Sequence, residues 1–197
     1  MTLSAYTLVA DEVLTLDDQG TTYAPGAVGI AGDSIAYVGA PPPRTTGEVL
    51  RLDGCVLLPG LVNTHTHTPM WLFRGLTEDV PRGEWLIGRM WPLEARAGAR
   101  ELRAGALAGC LELLLNGVTT VADRYRNMRE VAGAVEESGL RAVVTPSLFD
   151  HNADAGLAET EELLERFGGD PARSRVWVGV GPHATDTCGP ALLRRVR

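Results

Sequence analysis

From Pro59 onward, strand-like and helix-like segments alternate at nearly constant length, and that rhythm constrains the fold more than any other feature. Apolar and β-branched runs predict strands over 61–67, 118–125, 140–150 and 176–183. Amphipathic runs predict helices over 99–117, 127–139, 157–169 and from 189 onward. Gly117 and Gly139 stand where a helix ends in a left-handed residue. Asn127 with Glu130 three residues later reads as a helix-capping pair. Strands alternating with helices of this length make βαβ units on a parallel sheet, so the chain is α/β. The stripe Leu102, Ala106, Cys110, Leu113 and Leu114 reads as helix core, not as a cofactor contact.

Residues 1–58 follow a different pattern and are expected to form a separate small β unit. Alternation around Gly32-Asp33 predicts one hairpin, and the run over 48–60 predicts a second around Asp53-Gly54. Pro41, Pro42 and Pro43 form a stiff connector between them. The domain expectation is therefore a β unit over 1–58 and an α/β unit over 59–197.

The sharpest chemical feature is His65-Thr66-His67. Positions i and i+2 of a strand share one face, so both imidazoles can reach a single metal ion. Imidazole suits zinc, iron, nickel and copper alike, so the pair does not name the metal. The alternative is two solvent-exposed histidines in a turn.

Composition excludes several classes. With 18 basic against 25 acidic residues the net charge is −7, the wrong sign for a nucleic-acid or anionic-membrane binder. Three cysteines without CxxC spacing fit a reducing cytoplasmic setting better than a disulfide framework. The opening stretch over 1–13 shows neither the basic nor the apolar region of a secretion signal, and no apolar run approaches a membrane span.

The run Pro59-Gly60-Leu61-Val62-Asn63-Thr64-His65-Thr66-His67 resembles the signature of the amidohydrolase superfamily. The resemblance extends through Trp91-Pro92-Leu93-Glu94, Gly117-Val118-Thr119-Thr120 and Gly181-Pro182-His183-Ala184, and covers essentially the whole chain. It is strongest to the chlorohydrolase and aminohydrolase branch, which includes methylthioadenosine and S-adenosylhomocysteine deaminases, guanine deaminases and triazine hydrolases. What it implies is a metal-dependent hydrolase on a TIM (β/α)8 barrel, here truncated after about four strands, preceded by a small β-sandwich-type N-terminal unit. In that family the His-x-His pair binds a divalent metal, commonly Zn2+ with Fe2+ as the alternative. His65 and His67 are the metal ligands that the resemblance implies.

The resemblance also implies roles for two further residues. Glu94 and His183 become substrate contacts, against the alternatives of a surface Glu paired with Arg96 or another Arg, and of a structural or metal-ligating histidine. The implied reaction is hydrolytic deamination of an aromatic N-heterocycle or nucleoside by metal-activated water. The proton-transfer residues of the family come from later strands, so no catalytic residue is expected within this chain, which reads as an incomplete N-terminal portion, inactive and poorly soluble alone. Relatives often pair, which makes a homodimer an option for the longer protein. Alternatives within the superfamily are a cyclic-amide or imidazolone hydrolase and a chlorohydrolase; outside it, an inactive metal-binding fragment.

Asp123 is read as either a support of the site or a strand-end cap. Arg124 departs from the apolar residue that many relatives carry there. Trp71, Trp85 and Trp91 read as packing residues that could also wall a pocket for a flat ring, His151 as an exposed loop residue, and a Cys188–His183 nucleophile as a remote option.

Overall fold

A computed structural model describes residues 6–45, 47–81, 83–169 and 174–197. The first five residues, which open the stretch read as lacking a secretion signal, lie outside this set. The chain divides into two compact units, 1–59 and 60–197.

The first unit is one five-stranded sheet built on β1 (Tyr6–Leu14). β2 (Thr22–Tyr23) and β3 (Gly26–Ala31) both pair antiparallel with β1, and β4 (Ser34–Gly39) pairs antiparallel with β3. Ala31 faces Ser34 across the two-residue turn Gly32-Asp33, so the first hairpin forms where the alternation placed it.

The second hairpin does not form. The segment expected to fold around Asp53-Gly54 is one strand, β5 (Glu48–Leu57), lying parallel to β1. Its register jumps from Ala10↔Leu52 to Glu12↔Val56, which places two extra residues of β5 in a bulge at the Asp-Gly step. Gly54 adopts φ +73°, and its N–H donates to Asp11 Oδ2 at 3.0 Å. The local turn chemistry is real, but its partner lies 43 residues back and the chain continues forward.

The second unit holds β6 (Leu61–Thr66), β7 (Val118–Tyr125), β8 (Arg141–Leu148) and a fourth strand interrupted into β9 (Val176–Val178) and β10 (Gly181–Pro182). All pair in parallel, in the order β6-β7-β8 with β9 and β10 both against β8. Between β6 and β7 the chain makes a 3-10 turn (Thr68–Phe73), a π-helical turn (Glu84–Met90), the short α1 (Trp91–Glu94) and the long α2 (Ala99–Leu115). α3 (Met128–Ser138), α4 (Ala153–Phe167) and α5 (Pro190–Arg195) follow successive strands.

The core lies between the sheet and its helices. Val121, Asp123 and Tyr125 of β7, and Ala142, Val144 and Leu148 of β8, are buried on the helix side. The intervening positions face the other way, where Val143 is exposed; Leu61 and Val62 of the flanking strand β6 are exposed as well. Leu102, Ala106 and Cys110 are fully buried, as their spacing predicts, whereas Leu114 is 36% exposed where α2 leaves the core.

α3 ends at Gly139 in the left-handed conformation, but the expected Asn127 cap is absent. Asn127 itself adopts φ +52°, and the Met128 N–H is taken by Glu159 Oε1 of α4 at 2.6 Å. A carboxylate of the next helix serves this N-terminus in place of the local amide. Among the described residues no helix is long and apolar enough to cross a membrane.

Candidate active site

Each parallel strand of the second unit delivers polar or aromatic side chains at its C-terminal end, the end where βα barrels carry their chemistry. His67 follows β6, Arg124 and Tyr125 close β7, Phe149 follows β8, and His183 follows β10. All five line one cavity of about 220 Å3, with Glu94, Trp85 and Trp91 supplied by the long β6–α2 connection. The structure thus brings together His67, Glu94 and His183, three residues far apart in sequence. His65 is not part of the cavity wall; its ring stands edge-on to that of His67, centroids 4.9 Å apart.

His67 is held by the backbone. Its Nδ1 lies 2.5 Å from the Arg124 carbonyl oxygen. A carbonyl only accepts, so Nδ1 carries the proton and Nε2 keeps the lone pair, the arrangement in which a metal-binding histidine is oriented. Burial is the main influence pushing its pKa down, with a contribution from the Arg124 charge; both favour the neutral imidazole that a metal requires. Two imidazoles this close can both reach an ion with ~2.1 Å bonds, so the donor set fits a borderline divalent metal. Among the described residues no group of three or more metal-ligating side chains gathers.

Behind the pair sits Asp123, fully buried. Its carboxyl accepts the backbone N–H of Thr68 at 3.3 and 3.4 Å and a short hydrogen bond from the Thr68 hydroxyl. It therefore anchors the turn that begins one residue after His67. Burial pushes its pKa up to about 7, against the lowering effect of the Thr68 hydrogen bonds.

Glu94 does not pair with Arg96. Its Oε1 accepts a 2.5 Å hydrogen bond from the Tyr125 hydroxyl, whose own pKa is pushed up by burial and then by this contact. His183 stacks on Phe149 with centroids 4.4 Å apart, and its Nδ1 lies 2.9 Å from the Thr187 hydroxyl. His151 is exposed, as expected, and its ring stacks with that of Phe149 at 5.2 Å. Trp91 is 45% exposed, so it is a wall of the cavity and not a packed core residue. Cys188 is buried and donates to the Leu148 carbonyl at 3.2 Å, which leaves it a structural thiol. A second cavity, about 440 Å3, lies beside α2; its charged groups Arg74 and Glu112 are satisfied by each other at 2.8 Å.

The run over 118–125 predicted a strand ending at Tyr125 but could not reveal that residue's reach to Glu94, 31 residues away. Phe149, the ring beneath His183, carried no signal at all in the sequence.

A family model described as "Amidohydrolase family" matches residues 56–197. The chain belongs to the amidohydrolase family. Among curated relatives it is 41% identical to a 5-methylthioadenosine/S-adenosylhomocysteine deaminase of Syntrophobacter fumaroxidans, over 95% of this chain and 44% of that protein. It is 38% identical to a 5′-deoxyadenosine deaminase of Methanosarcina mazei, over 94% of this chain and 44% of that one. Among solved structures, an adenosine deaminase from Xanthomonas campestris with bound zinc superposes with a TM-score of 0.89 at 29% identity, over 98% of this chain and 46% of that chain. The zinc complex of an atrazine chlorohydrolase from Arthrobacter aurescens shares the fold, with a TM-score of 0.86 at 24% identity. The chain therefore spans less than half the length of the relatives it matches, and its second unit has the curled parallel half-sheet of an amidohydrolase barrel.

Proposed function

We propose that this chain forms the N-terminal portion of a metal-dependent hydrolase that deaminates an amino-substituted aromatic heterocycle or nucleoside. In this reading residues 1–58 are part of a β unit flanking the barrel and 59–197 are the barrel's first half. The observation that carries it is the single cavity at four consecutive strand ends, where His67, Glu94 and His183 meet between aromatic walls. The named relatives, deaminases of adenosine derivatives, support the same chemistry.

His65 and His67 supply two metal ligands, and zinc is the proposed ion, as in the solved adenosine deaminase. When bound, a divalent metal lowers the pKa of water and so supplies hydroxide at neutral pH. Net, water adds at the ring carbon bearing the amino group, and ammonia leaves. The Arg124 carbonyl keeps His67 in the tautomer that binds through Nε2. Tyr125 holds one oxygen of Glu94, which leaves Oε2 to accept from a ribose hydroxyl or a ring N–H. His183, braced on Phe149, contacts the same heterocycle. Trp85 and Trp91 exclude water and offer flat surfaces to the ring. No residue of this chain is assigned the proton transfers. The setting proposed is the cytoplasm, with a homodimer as the assembly.

The test is ammonia release by the complete reading frame containing this sequence, on 5′-deoxyadenosine, 5′-methylthioadenosine, guanine and an amino-triazine. Turnover of at least one, with kcat/KM cut about tenfold or more by Glu94→Ala and by His183→Ala, is the expected result. Turnover that neither substitution changes would overturn both contact assignments. No ammonia from any of them would overturn deamination.

A further inference from the structure

Arg124 is a strongly charged side chain of the cavity wall whose guanidinium the proposed chemistry leaves unused. It precedes Tyr125 at the end of β7 and points away from the face that buries Asp123 and Tyr125. Its Nη1 is buried and finds no hydrogen-bond partner among the described residues. A guanidinium has five N–H donors and no acceptor, and a buried donor without a partner is destabilising. The other guanidinium of the wall, Arg126, donates to the Ala97 carbonyl at 3.1 Å. The single carboxylate of the wall, Glu94, is tied to Tyr125.

The cavity thus holds an unsatisfied, permanently charged donor beside aromatic rings. We propose that Arg124 is a specificity-determining residue that donates to an oxygen on the substrate's ring, either an oxo group or a carboxylate. A guanidinium matches either oxygen type, in one or two parallel N–H···O bonds. The chemical class selected is a flat N-heterocycle bearing such an oxygen, in preference to one bearing only amino groups. The inference rests on the proposed function only in taking this cavity as the substrate site.

The experiment is a binding titration of the metal-loaded complete protein, read by the fluorescence of Trp85 and Trp91. The probes are xanthine (ring oxo groups), orotate (ring carboxylate) and adenine (neither). The wild type is expected to bind xanthine or orotate more tightly than adenine. Arg124→Met should weaken the preferred probe about tenfold to hundredfold, the range for a hydrogen bond to a charged group, and leave adenine within about twofold. Arg124→Lys, which keeps the charge but not the fork, should fall between. Which of xanthine and orotate loses more identifies the oxygen type. Equal weakening of all three probes, or no weakening, would overturn the assignment. If Arg124→Met does not fold, a wild type without preference for either oxygen-bearing probe would overturn it equally. Ammonia release is scored separately, so a failure of deamination leaves the binding preference to be judged on its own.

Discussion

Gly109 lies on the face of α2 that meets the start of the 3-10 turn, directly behind His67. A Cβ built there would sit 2.7 Å from the Thr68 carbonyl oxygen, 3.1 Å from Thr68 Cβ and 3.2 Å from Thr68 Cα. Ordinary contact needs roughly 0.5 Å more, because the atoms that must give way are backbone and the base of a β-branched side chain. Gly109→Ala therefore sets two effects against each other. Removing a glycine from a helix interior is favourable by about 1 kcal/mol. Overpacking of this kind costs about 1–3 kcal/mol. A shift of Thr68 also stretches its N–H bonds to Asp123, which at 3.3 and 3.4 Å have no slack, and weakening a buried hydrogen bond adds about 1 kcal/mol. The net expectation is destabilisation by about 1–3 kcal/mol. Thermal unfolding of the complete protein should show Tm falling by about 2–4 °C per kcal/mol. Gly88→Ala is the control, since its Cβ would meet only Glu84 Cγ at 3.6 Å. It should be neutral or slightly stabilising. A Gly109→Ala protein as stable as the control would refute the claim that α2 is seated on the Thr68 backbone through this contact.

Two further outcomes follow from buried groups. Asp123 has its folded-state pKa raised from 3.8 to about 7, so folding favours its protonated form; its contribution is fully present below about pH 4 and is lost as pH rises through 7. The difference of roughly 3 pH units corresponds to a contribution on the order of 4 kcal/mol. Urea midpoints from pH 5 to 8 should therefore fall more steeply in the wild type than in Asp123→Asn, and identical slopes would contradict the assignment. Of the three thiols, Cys55 is exposed while Cys110 and Cys188 are buried, and burial pushes the Cys110 pKa up to about 11. Ellman's reagent on the native protein should modify Cys55 rapidly and the other two only after unfolding; a second fast thiol would contradict the packing of α2 or of the His183 loop.

Much of the α/β unit was legible because local chemistry and tertiary structure agree there. The β-branched run Val118–Tyr125 is a strand over its whole length, and Gly139 closes α3 in the left-handed conformation a glycine favours. Where they disagree, local signals misled. The Asp53-Gly54 step has turn chemistry, yet it serves as a bulge against β1. Asn127 has cap chemistry, yet the helix N-terminus it would have served is held by Glu159, a residue of the next helix. The site was legible to the extent that short motifs mark two strand ends and the connection after β6: His67, His183 and Glu94 line one cavity. What holds them was not, because the Arg124 carbonyl, the Tyr125 hydroxyl and the Phe149 ring act across 57, 31 and 34 residues of separation, beyond any periodicity. Arg124 itself was visible only as a departure from the family's apolar residue; its unsatisfied N–H emerges only with the surrounding packing.

The central claim is that His65 and His67 hold a divalent metal. The most direct measurement is elemental analysis of the complete protein, purified without added metal, beside His65→Ala, His67→Ala and the double variant. About one equivalent of zinc or another divalent ion in the wild type, lost in the double variant and reduced in each single one, is the predicted result. No metal in a folded wild type, or full occupancy retained in a folded double variant, would contradict it.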